Sequence, residues 1–177
     1  MWIVKTKDGR TVTLRFLVGE DKQGIVEFFA SMSAKALEWG NPPYTDEVVD
    51  RWISNLENMT ALVAIYDKRI VGYATISKGT RERRKGVGDL VMYLLQDFQN
   101  AGLGAAMLSR LLNLAEKEGL HRIGLHVIAD NKIAIHLYEK FGFAREGILK
   151  ESYFGRDKRY HDELVMGLVL SNSRLNV

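Results

Sequence analysis

The sequence contains no cysteine, and this absence excludes several kinds of site. Without a thiol the chain forms no disulfide bond, has no cysteine-ligated zinc site and cannot use a cysteine acyl intermediate. The four histidines lack the HExxH spacing of a zinc-binding helix, so we expect no metal cofactor. Proline is scarce too. Pro42 and Pro43 stand side by side and predict a loop, because proline fits neither a helix interior nor an inner strand.

Long apolar runs are also missing. None approaches the roughly 18 residues of a membrane span, and residues 1–10 lack the apolar region of a secretory signal, so we expect a cytoplasmic protein with no membrane partner. The 177 residues are 46% hydrophobic and 27% charged, which is typical of one globular domain over 1–177. Lys and Arg number 25 against 22 Asp and Glu. This small excess suits an anionic small ligand, and we expect no nucleic-acid partner.

Hydrophobic periodicity predicts a mixed α/β fold. Residues 11–16 alternate as in a strand, and two strand-like runs flank Asp67-Lys68, which predicts an antiparallel hairpin. Apolar residues recur at helical spacing from Asp21 through Ala36 and again after Thr45-Asp46, so polar caps are expected at both helix starts. The predicted order of elements is β-α-α-β-β-β-α-β-α-β-β, with strands joined by hairpins and by helical crossovers.

The most informative segment is a glycine-containing turn, Gln99-x-x-Gly102-x-Gly104, between a predicted strand and a leucine-rich helix. The start of a helix leaves several backbone N–H groups without partners and carries partial positive charge. Glycines there let a phosphate approach these donors, so the turn suits a pyrophosphate. It lacks the Gly-Lys-Ser/Thr of a Walker loop and the third glycine of the dinucleotide fingerprint. A tight turn with glycines for packing explains the same residues about equally well.

A second motif, Asn-x-x-Ala-x-x-x-Tyr-Glu-x-x-Gly-Phe, occupies residues 131–143. With both motifs the sequence resembles the GNAT superfamily of acetyl-CoA-dependent N-acetyltransferases over roughly residues 11–170. The tail at 146–149, 153–154 and 162–166 is similar to the branch that holds ribosomal-protein N-terminal and polyamine acetyltransferases. The resemblance implies a GNAT-like mixed, centrally splayed β-sheet flanked by helices.

The resemblance also implies which residues hold acetyl-CoA as co-substrate. Backbone amides of the glycine turn would cradle the pyrophosphate, and the preceding strand end and Asn131 would contact the pantetheine arm. The residues assigned to the co-substrate are Leu94, Leu95, Gln99, Asn100, Ala101, Gly102, Leu103, Gly104, Ala105, Asn131 and Tyr138. The family often has proline at the position of Gln96 and arginine at that of Gln99. The second difference removes one possible charged contact to phosphate, although a cradle made mostly of main chain remains.

Transfer to an amine needs a base and a group that stabilises the departing thiolate, since an alkylamine with a pKa of about 10 is mostly protonated at neutral pH. The resemblance places Tyr138 near the sulfur as general acid; the alternative is a core aromatic. His126 stands where the ribosomal-protein branch has glutamate and is the candidate base, directly or through water; the alternative is a histidine between packed layers. Asp89 and Tyr93, on the neighbouring strand, are reserve candidates for ordering water.

The acceptor amine is expected near the loop with the two prolines. Glu38 and Tyr44 flank that loop, and a carboxylate beside an aromatic ring attracts an ammonium group; the alternative is a loop anchored by Trp39 and Tyr44. We thus predict an enzyme that moves acetyl directly from acetyl-CoA to a primary amine within a ternary complex. The acceptor is a small molecule such as a polyamine, or a protein N-terminus. A non-catalytic acyl-CoA-binding module is the alternative, and a homodimer is implied only by the habit of the family.

Overall fold

The computed structural model describes residues 1–170, which form eight strands and four α-helices. The strands are β1 (Trp2–Lys5), β2 (Thr11–Phe16), β3 (Met59–Tyr66), β4 (Arg69–Lys78), β5 (Val87–Leu94), β6 (Arg122–Ile128), β7 (Ala144–Phe154) and β8 (Tyr160–Val169). The helices are α1 (Lys22–Ser31), α2 (Asp46–Ile53), α3 (Leu103–Lys117) and α4 (Lys132–Lys140). Apart from the additional strand β1, the order of elements is the predicted one.

The described strands form one mixed sheet in the order β1-β2-β3-β4-β5-β6-β8-β7. The pair β5 and β6, joined by a crossover through α3, is parallel. These two strands pair only between residues 87–89 and 122–124 and then separate. On their outer sides they continue to pair, β5 with β4 up to Leu94 and β6 with β8 up to Ile128. The predicted central splay is therefore present.

Helices cover both faces of this sheet. On one face α3 and α4 bury residues such as Leu108 and Ile135 against Leu125 of β6. On the other face α1 and α2 bury Phe29 and Val49 against the inner strands. Each fully buried side chain of this kind stabilises the fold by about 1.5–3 kcal/mol. The two apolar layers hold the strand ends around the central gap in fixed positions.

The connections follow from residues that tolerate left-handed backbone. Asp67 and Lys68 have φ of 47° and 62°, as the two-residue turn of a right-twisted hairpin requires. Gly119, with φ of 77°, follows α3 and terminates it. The predicted hairpin and the predicted end of the leucine-rich helix are both confirmed.

Two predicted boundaries are wrong. The helix α1 ends at Ser31, short of Ala36, because the backbone becomes extended at Met32 (ψ of 130°) while that side chain stays buried. The strand β1 lies outside the predicted order because it is only four residues long and alternates exposed with half-buried positions. Such a short edge strand carries little hydrophobic signal.

The predicted helix caps are right in position but not in their contacts. Asp21 and Thr45 immediately precede α1 and α2, yet neither side chain accepts a hydrogen bond from the backbone amides of its helix. The Asp21 carboxylate instead accepts two hydrogen bonds of 2.6 Å from Arg15 and one of 3.0 Å from the Val18 amide. A charged donor on the neighbouring strand therefore outcompetes the neutral amides of the helix.

Small residues bring α3 close to the end of β5. A Cβ atom added at Gly72 of β4 would lie 2.7 Å from Leu94 Cδ2 and 2.9 Å from Met107 Sδ. One added at Gly104, in the first turn of α3, would lie 3.2 Å from Leu94 Cδ1. Glycine at both places lets the start of α3 pack directly on the strand end at Leu94.

We expect Gly72→Val to destabilise the fold by about 1–3 kcal/mol, because the added methyl groups overfill the space beneath α3. Urea denaturation measures the change in the free energy of unfolding. Gly147→Ala is the matched control, since nothing lies within 4 Å of its added Cβ. Equal stability of the two variants would contradict the close packing of α3 on β4.

Candidate active site

The gap between β5 and β6 exposes a strand edge at Leu94. The amide of Leu95 donates to the Val71 carbonyl at 3.0 Å and so belongs to the sheet. Successive peptide groups of a strand point to opposite edges, so the amide and carbonyl of Leu94 point to the side that β6 has left. Of the two residues predicted to contact a pantetheine arm, Leu94 keeps that capacity. The prediction for the Leu95 amide is wrong, because it already has a partner in β4.

The start of α3 offers unused donors beside this edge. Gly102 is its N-cap residue, with φ of 83°, and within residues 1–170 no side chain caps the helix. Regular helical bonding begins with the amide of Ala106, which donates to the Gly102 carbonyl at 3.1 Å. The amides of residues 103–105 therefore have no intrahelical partner, and the helix end carries about half a positive charge. Its first turn contains no acidic residue. These donors fit an anionic group.

The predicted residues of the glycine turn lie together but play different parts. The Gln99 side chain donates from Nε2 to the Leu94 carbonyl at 3.3 Å. Asn100 takes the left-handed conformation with φ of 58°. Ala101 is buried, and its carbonyl accepts a 2.9 Å bond from the Lys7 amide. Gln99 thus ties the turn to the strand end, and the amides after it remain for a ligand.

The helix α4 packs beside the start of α3. A Cβ atom added at Gly104 would be 3.6 Å from Leu137 Cδ2. Asn131 precedes α4 and accepts a 3.2 Å hydrogen bond at Oδ1 from the Ala134 amide, so it caps the helix. Its Nδ2 group forms no hydrogen bond to residues 1–170 and stays a candidate donor to a pantetheine arm.

Tyr138 packs as a core aromatic, and its role near the sulfur stays a prediction. Its side chain is 7% exposed, and its ring centroid lies 5.7 Å from that of Phe143, so the ring belongs to the core. Its hydroxyl nevertheless makes no hydrogen bond within the described chain. Burial raises the pKa of Tyr138 to about 12, so the phenol is protonated throughout the neutral range. A neutral phenol O–H without a hydrogen-bond partner in residues 1–170 is suited to donate to a ligand atom.

Tyr93 of β5, with its partner Tyr44, borders the gap from the other face of the sheet. The Tyr44 hydroxyl donates to the Tyr93 hydroxyl at 2.8 Å and accepts from the Asn41 amide at 2.7 Å. Burial raises the pKa of Tyr93 far above its usual value, with smaller contributions from Tyr44 and Tyr138. Tyr44 also stacks on Phe29 with centroids 4.1 Å apart. Tyr44 therefore anchors the loop between α1 and α2 that contains Pro42 and Pro43, called the proline loop below. This agrees with the alternative interpretation of Tyr44.

His126 lies exposed on the face of β6 away from α3 and α4. The alternative of a histidine between packed layers is therefore wrong. Gly124, two residues earlier on the same face, is next to Asp89 of β5, whose Oδ1 would be 3.5 Å from an added Cβ. Glu163 of β8 pairs with Ile128 and so shares this face. His126 thus stands between two carboxylates on an open surface.

The proline loop is joined to the β7–β8 hairpin by a cluster of hydrogen bonds and ring contacts. The spacing of these residues in the sequence does not predict the cluster. The Tyr153 hydroxyl is within 3.1 Å of the Glu38 carbonyl and 2.7 Å of the Gly40 carbonyl. The Trp39 ring meets the His161 ring edge to face at 5.2 Å. An open cavity of about 250 Å³ lies between loop and hairpin. The Glu38 side chain is exposed and forms no ion pair within residues 1–170, so the predicted carboxylate remains available.

His161 is the titratable centre of this cluster. Its Nδ1 lies 2.7 Å from Asp130 and its Nε2 lies 3.0 Å from Asp157. Hydrogen bonds to Asp157 and Asp130 raise the pKa of His161 above its usual value. No local pattern in the sequence predicts this arrangement, because the partners come from three separate segments. Only the fold brings them together.

Over residues 1–170, no helix is both long and apolar enough to cross a membrane. The same residues contain no cluster of three or more His, Asp or Glu side chains suited to a metal ion.

Comparison with known proteins gives a consistent set of matches. The family model described as acetyltransferase (GNAT) family matches residues 26–143. An L-amino acid N-acetyltransferase of Escherichia coli (AaaT) is 27% identical over 159 residues, 89% of this chain and 98% of that protein. The ribosomal protein bS18-alanine N-acetyltransferase of the same species is 37% identical over 75 residues, 42% of this chain and half of that enzyme. A spermidine N(1)-acetyltransferase of Vibrio cholerae is 27% identical over 144 residues, 78% of this chain and 81% of that protein.

Solved structures show the same fold. The acetyltransferase yncA of Salmonella typhimurium, determined with its cofactor acetyl-CoA, superposes with a TM-score of 0.76. It is 23% identical, and the match covers 90% of this chain and 94% of that one. The likeness confirms the mixed, centrally splayed sheet.

The stability that His161 contributes should depend on pH. Because its pKa is raised in the folded chain, its contribution is complete below its ordinary value near 6.5 and is lost as pH rises through the raised value. We expect His161→Asn to have a lower melting temperature than wild type at about pH 5. This difference in melting temperature should become smaller as the pH is raised to about 9. His136→Asn, at an exposed position on α4, is the control. A difference in melting temperature that stays constant over this range would show that His161 gains no stability from pairing with Asp130 and Asp157.

Proposed function

The chain belongs to the acetyltransferase (GNAT) family, as its two motifs predict, and is thereby an enzyme of the acetyl-CoA-dependent N-acetyltransferase class. From this premise we propose that it binds acetyl-CoA across the start of α3 and the gap between β5 and β6, and transfers acetyl to a primary amine on the His126 face. One observation carries the proposal: the uncapped amides of residues 103–105 lie beside the strand edge at Leu94, whose amide points into the gap.

The residues present fit this co-substrate. Bound acetyl-CoA would supply an acetyl group activated as a thioester. Amides of residues 103–105 would hold its diphosphate, as the N-terminus of a helix does for anions. The Leu94 edge would pair with the amide groups of the pantetheine arm as a further strand would. Asn131 Nδ2 would donate to the same arm from the opposite side of the gap.

His126 takes the role of general base. An acceptor ammonium must lose a proton before its nitrogen can attack the thioester carbonyl, and the imidazole accepts that proton directly or through water. The new C–N bond forms as the C–S bond breaks, and the thiolate leaves with the electron pair. The exposed position of His126 lets the proton pass on to solvent.

Tyr138 stabilises the departing sulfur mainly by hydrogen bonding. A phenol with a pKa of about 12 is a weaker acid than a thiol, whose pKa is about 8.5, so full proton transfer to the thiolate is unfavourable. Donation of a hydrogen bond within a dry site still lowers the energy of the developing anion. The ring contact with Phe143 fixes the direction of the phenol.

The acceptor face favours a cationic amine. Asp89 and Glu163 flank His126, and the proline loop carries the exposed carboxylate of Glu38. Carboxylates around an open face attract ammonium groups and disfavour anionic acceptors. The named relatives act on an L-amino acid, on the alanine of a ribosomal protein and on spermidine, all of which present an amine. We propose the same general class here: a small-molecule amine such as a polyamine, or a protein N-terminus.

Release of free CoA thiol from acetyl-CoA is the decisive assay. The acceptor panel should contain spermidine, free L-amino acids and a peptide with an N-terminal alanine, with a dicarboxylic amino acid as the disfavoured case. Acetyl-CoA, but not ATP, should also raise the melting temperature. Stabilisation by acetyl-CoA without turnover on any amine would indicate a binding module, and no stabilisation at all would refute the proposed site.

Tyr138→Phe should lower kcat about a hundredfold, because a donor to the leaving sulfur is lost. The Kd for acetyl-CoA should change little, since the ring packing is kept. Steady-state kinetics and calorimetric titration measure the two quantities. Tyr160→Phe, at a position 64% exposed, is the control. Unchanged kcat in Tyr138→Phe would remove Tyr138 from the chemistry.

His126→Gln should lower the rate at neutral pH about a hundredfold, because the acceptor then loses its proton only to water. Raising the pH toward the pKa of the amine, about 10, increases the unprotonated fraction and should restore more activity to the variant than to wild type. His136→Gln, on the exposed face of α4, serves as control. A variant whose relative rate does not improve with pH would show that His126 is not the base.

A further inference from the structure

The turn between β1 and β2 lies directly against the glycine turn. The Lys7 amide donates to the Ala101 carbonyl at 2.9 Å. The Lys7 side chain runs past Gly102, so that its Cγ and Cε would lie 3.6 and 3.8 Å from an added Cβ. The last carbon before the ammonium group is therefore beside the N-cap of α3.

The β1–β2 turn is held in this place by its own contacts. Thr6 and Arg10 both bond the Asp8 carboxylate, and Arg10 also donates to the Asp97 carbonyl. The Arg10 guanidinium lies 3.8 Å above the Phe98 ring, just before the glycine turn. Through these contacts the hairpin and the glycine turn form one unit, so the path of Lys7 is set by the fold.

The charge of Lys7 has no counterpart in the described chain. Its ammonium forms no ion pair or hydrogen bond with residues 1–170, and Asp8, the nearest carboxylate in sequence, is paired with Arg10. The first turn of α3 contains no acidic residue. Gln99 is neutral and its amide is directed to Leu94. The glycine turn itself therefore supplies dipoles but no cation.

We infer that Lys7 is a phosphate-binding residue for the co-substrate, supplied by the β1–β2 turn. The inference rests on the proposed function, since it adds a charge to the site that the amides of residues 103–105 form. An ammonium on a flexible stem reaches a phosphate as a point charge and needs no fixed geometry. CoA carries two phosphate-containing groups, the diphosphate and the 3′-phosphate, and the inference covers binding of Lys7 to either one.

Titration of CoA into full-length variants tests the inference. Lys7→Met keeps the apolar stem and removes the charge, and it should raise the Kd for CoA about threefold to tenfold at low ionic strength. Lys7→Arg should keep most of the affinity. Lys5→Met, an exposed lysine of the same hairpin, should bind CoA as wild type does. The difference between wild type and Lys7→Met should shrink in about 1 M salt, where screening acts within about 3 Å.

Shorter ligands identify which part of CoA Lys7 contacts. Acetyl-pantetheine, which has no diphosphate and no 3′-phosphate, should bind all four proteins equally. A loss with CoA but not with 3′-dephospho-CoA assigns Lys7 to the 3′-phosphate, and an equal loss with both assigns it to the diphosphate. In kinetics KM for acetyl-CoA should rise while kcat stays near that of wild type.

Three results would overturn the inference: equal CoA affinity in Lys7→Met and wild type, an equal loss in Lys5→Met, or a loss that extends to acetyl-pantetheine. If wild type binds CoA and Lys7→Met matches it, only this inference falls. If wild type binds no CoA, the proposed function falls with it.

Discussion

The separation of β5 and β6 after residues 87–89 and 122–124 is the constraint on which the candidate site depends. A strand edge inside a folded domain carries N–H and C=O groups that must find partners. Here the edge at Leu94 faces a gap, and the crossover helix between the two strands begins at the same end of β5. The Leu94 amide, which points into the gap, and the unused helix donors are thereby adjacent, while the Leu94 carbonyl accepts from Gln99. An elongated ligand with amides at one end and phosphates at the other matches both.

The gap stays open because each strand is held from outside. β4 pairs with β5 through Leu94, and β8 pairs with β6 through Ile128. Between the sheet and α3, Gly72 and Gly104 remove the side chains that would keep the helix away from the strand end. A larger residue at either place would push the helix donors outward. Packing at these glycines therefore sets the position of the anion-binding amides.

The sequence predicts the parts of the fold whose signals are local. The glycine turn, the leucine-rich helix and the two-residue turn at 67–68 each depend on residues within a few positions, and each was found where expected. Contacts between distant segments escape such reasoning. The bond of Tyr153 to the Glu38 carbonyl joins residues 115 positions apart, and no spacing rule anticipates it. The commitment of the Leu95 amide to Val71 likewise required the sheet register.

Groups of opposite charge lie on the two sides of the gap. The start of α3 and the ammonium of Lys7 make the end of the gap at the glycine turn positive, whereas the His126 face presents the carboxylates of Asp89 and Glu163, with Arg81 and Arg84 near Asp89. An anionic carrier and a cationic amine would each be drawn to a different side. In the proposed complex they would meet between Tyr138 and His126, which belong to opposite faces of the sheet. In the mechanism that we propose, the phenol of Tyr138 donates a hydrogen bond to the sulfur and the imidazole of His126 accepts the proton of the amine, so acetyl passes directly between the two ligands without a covalent enzyme intermediate.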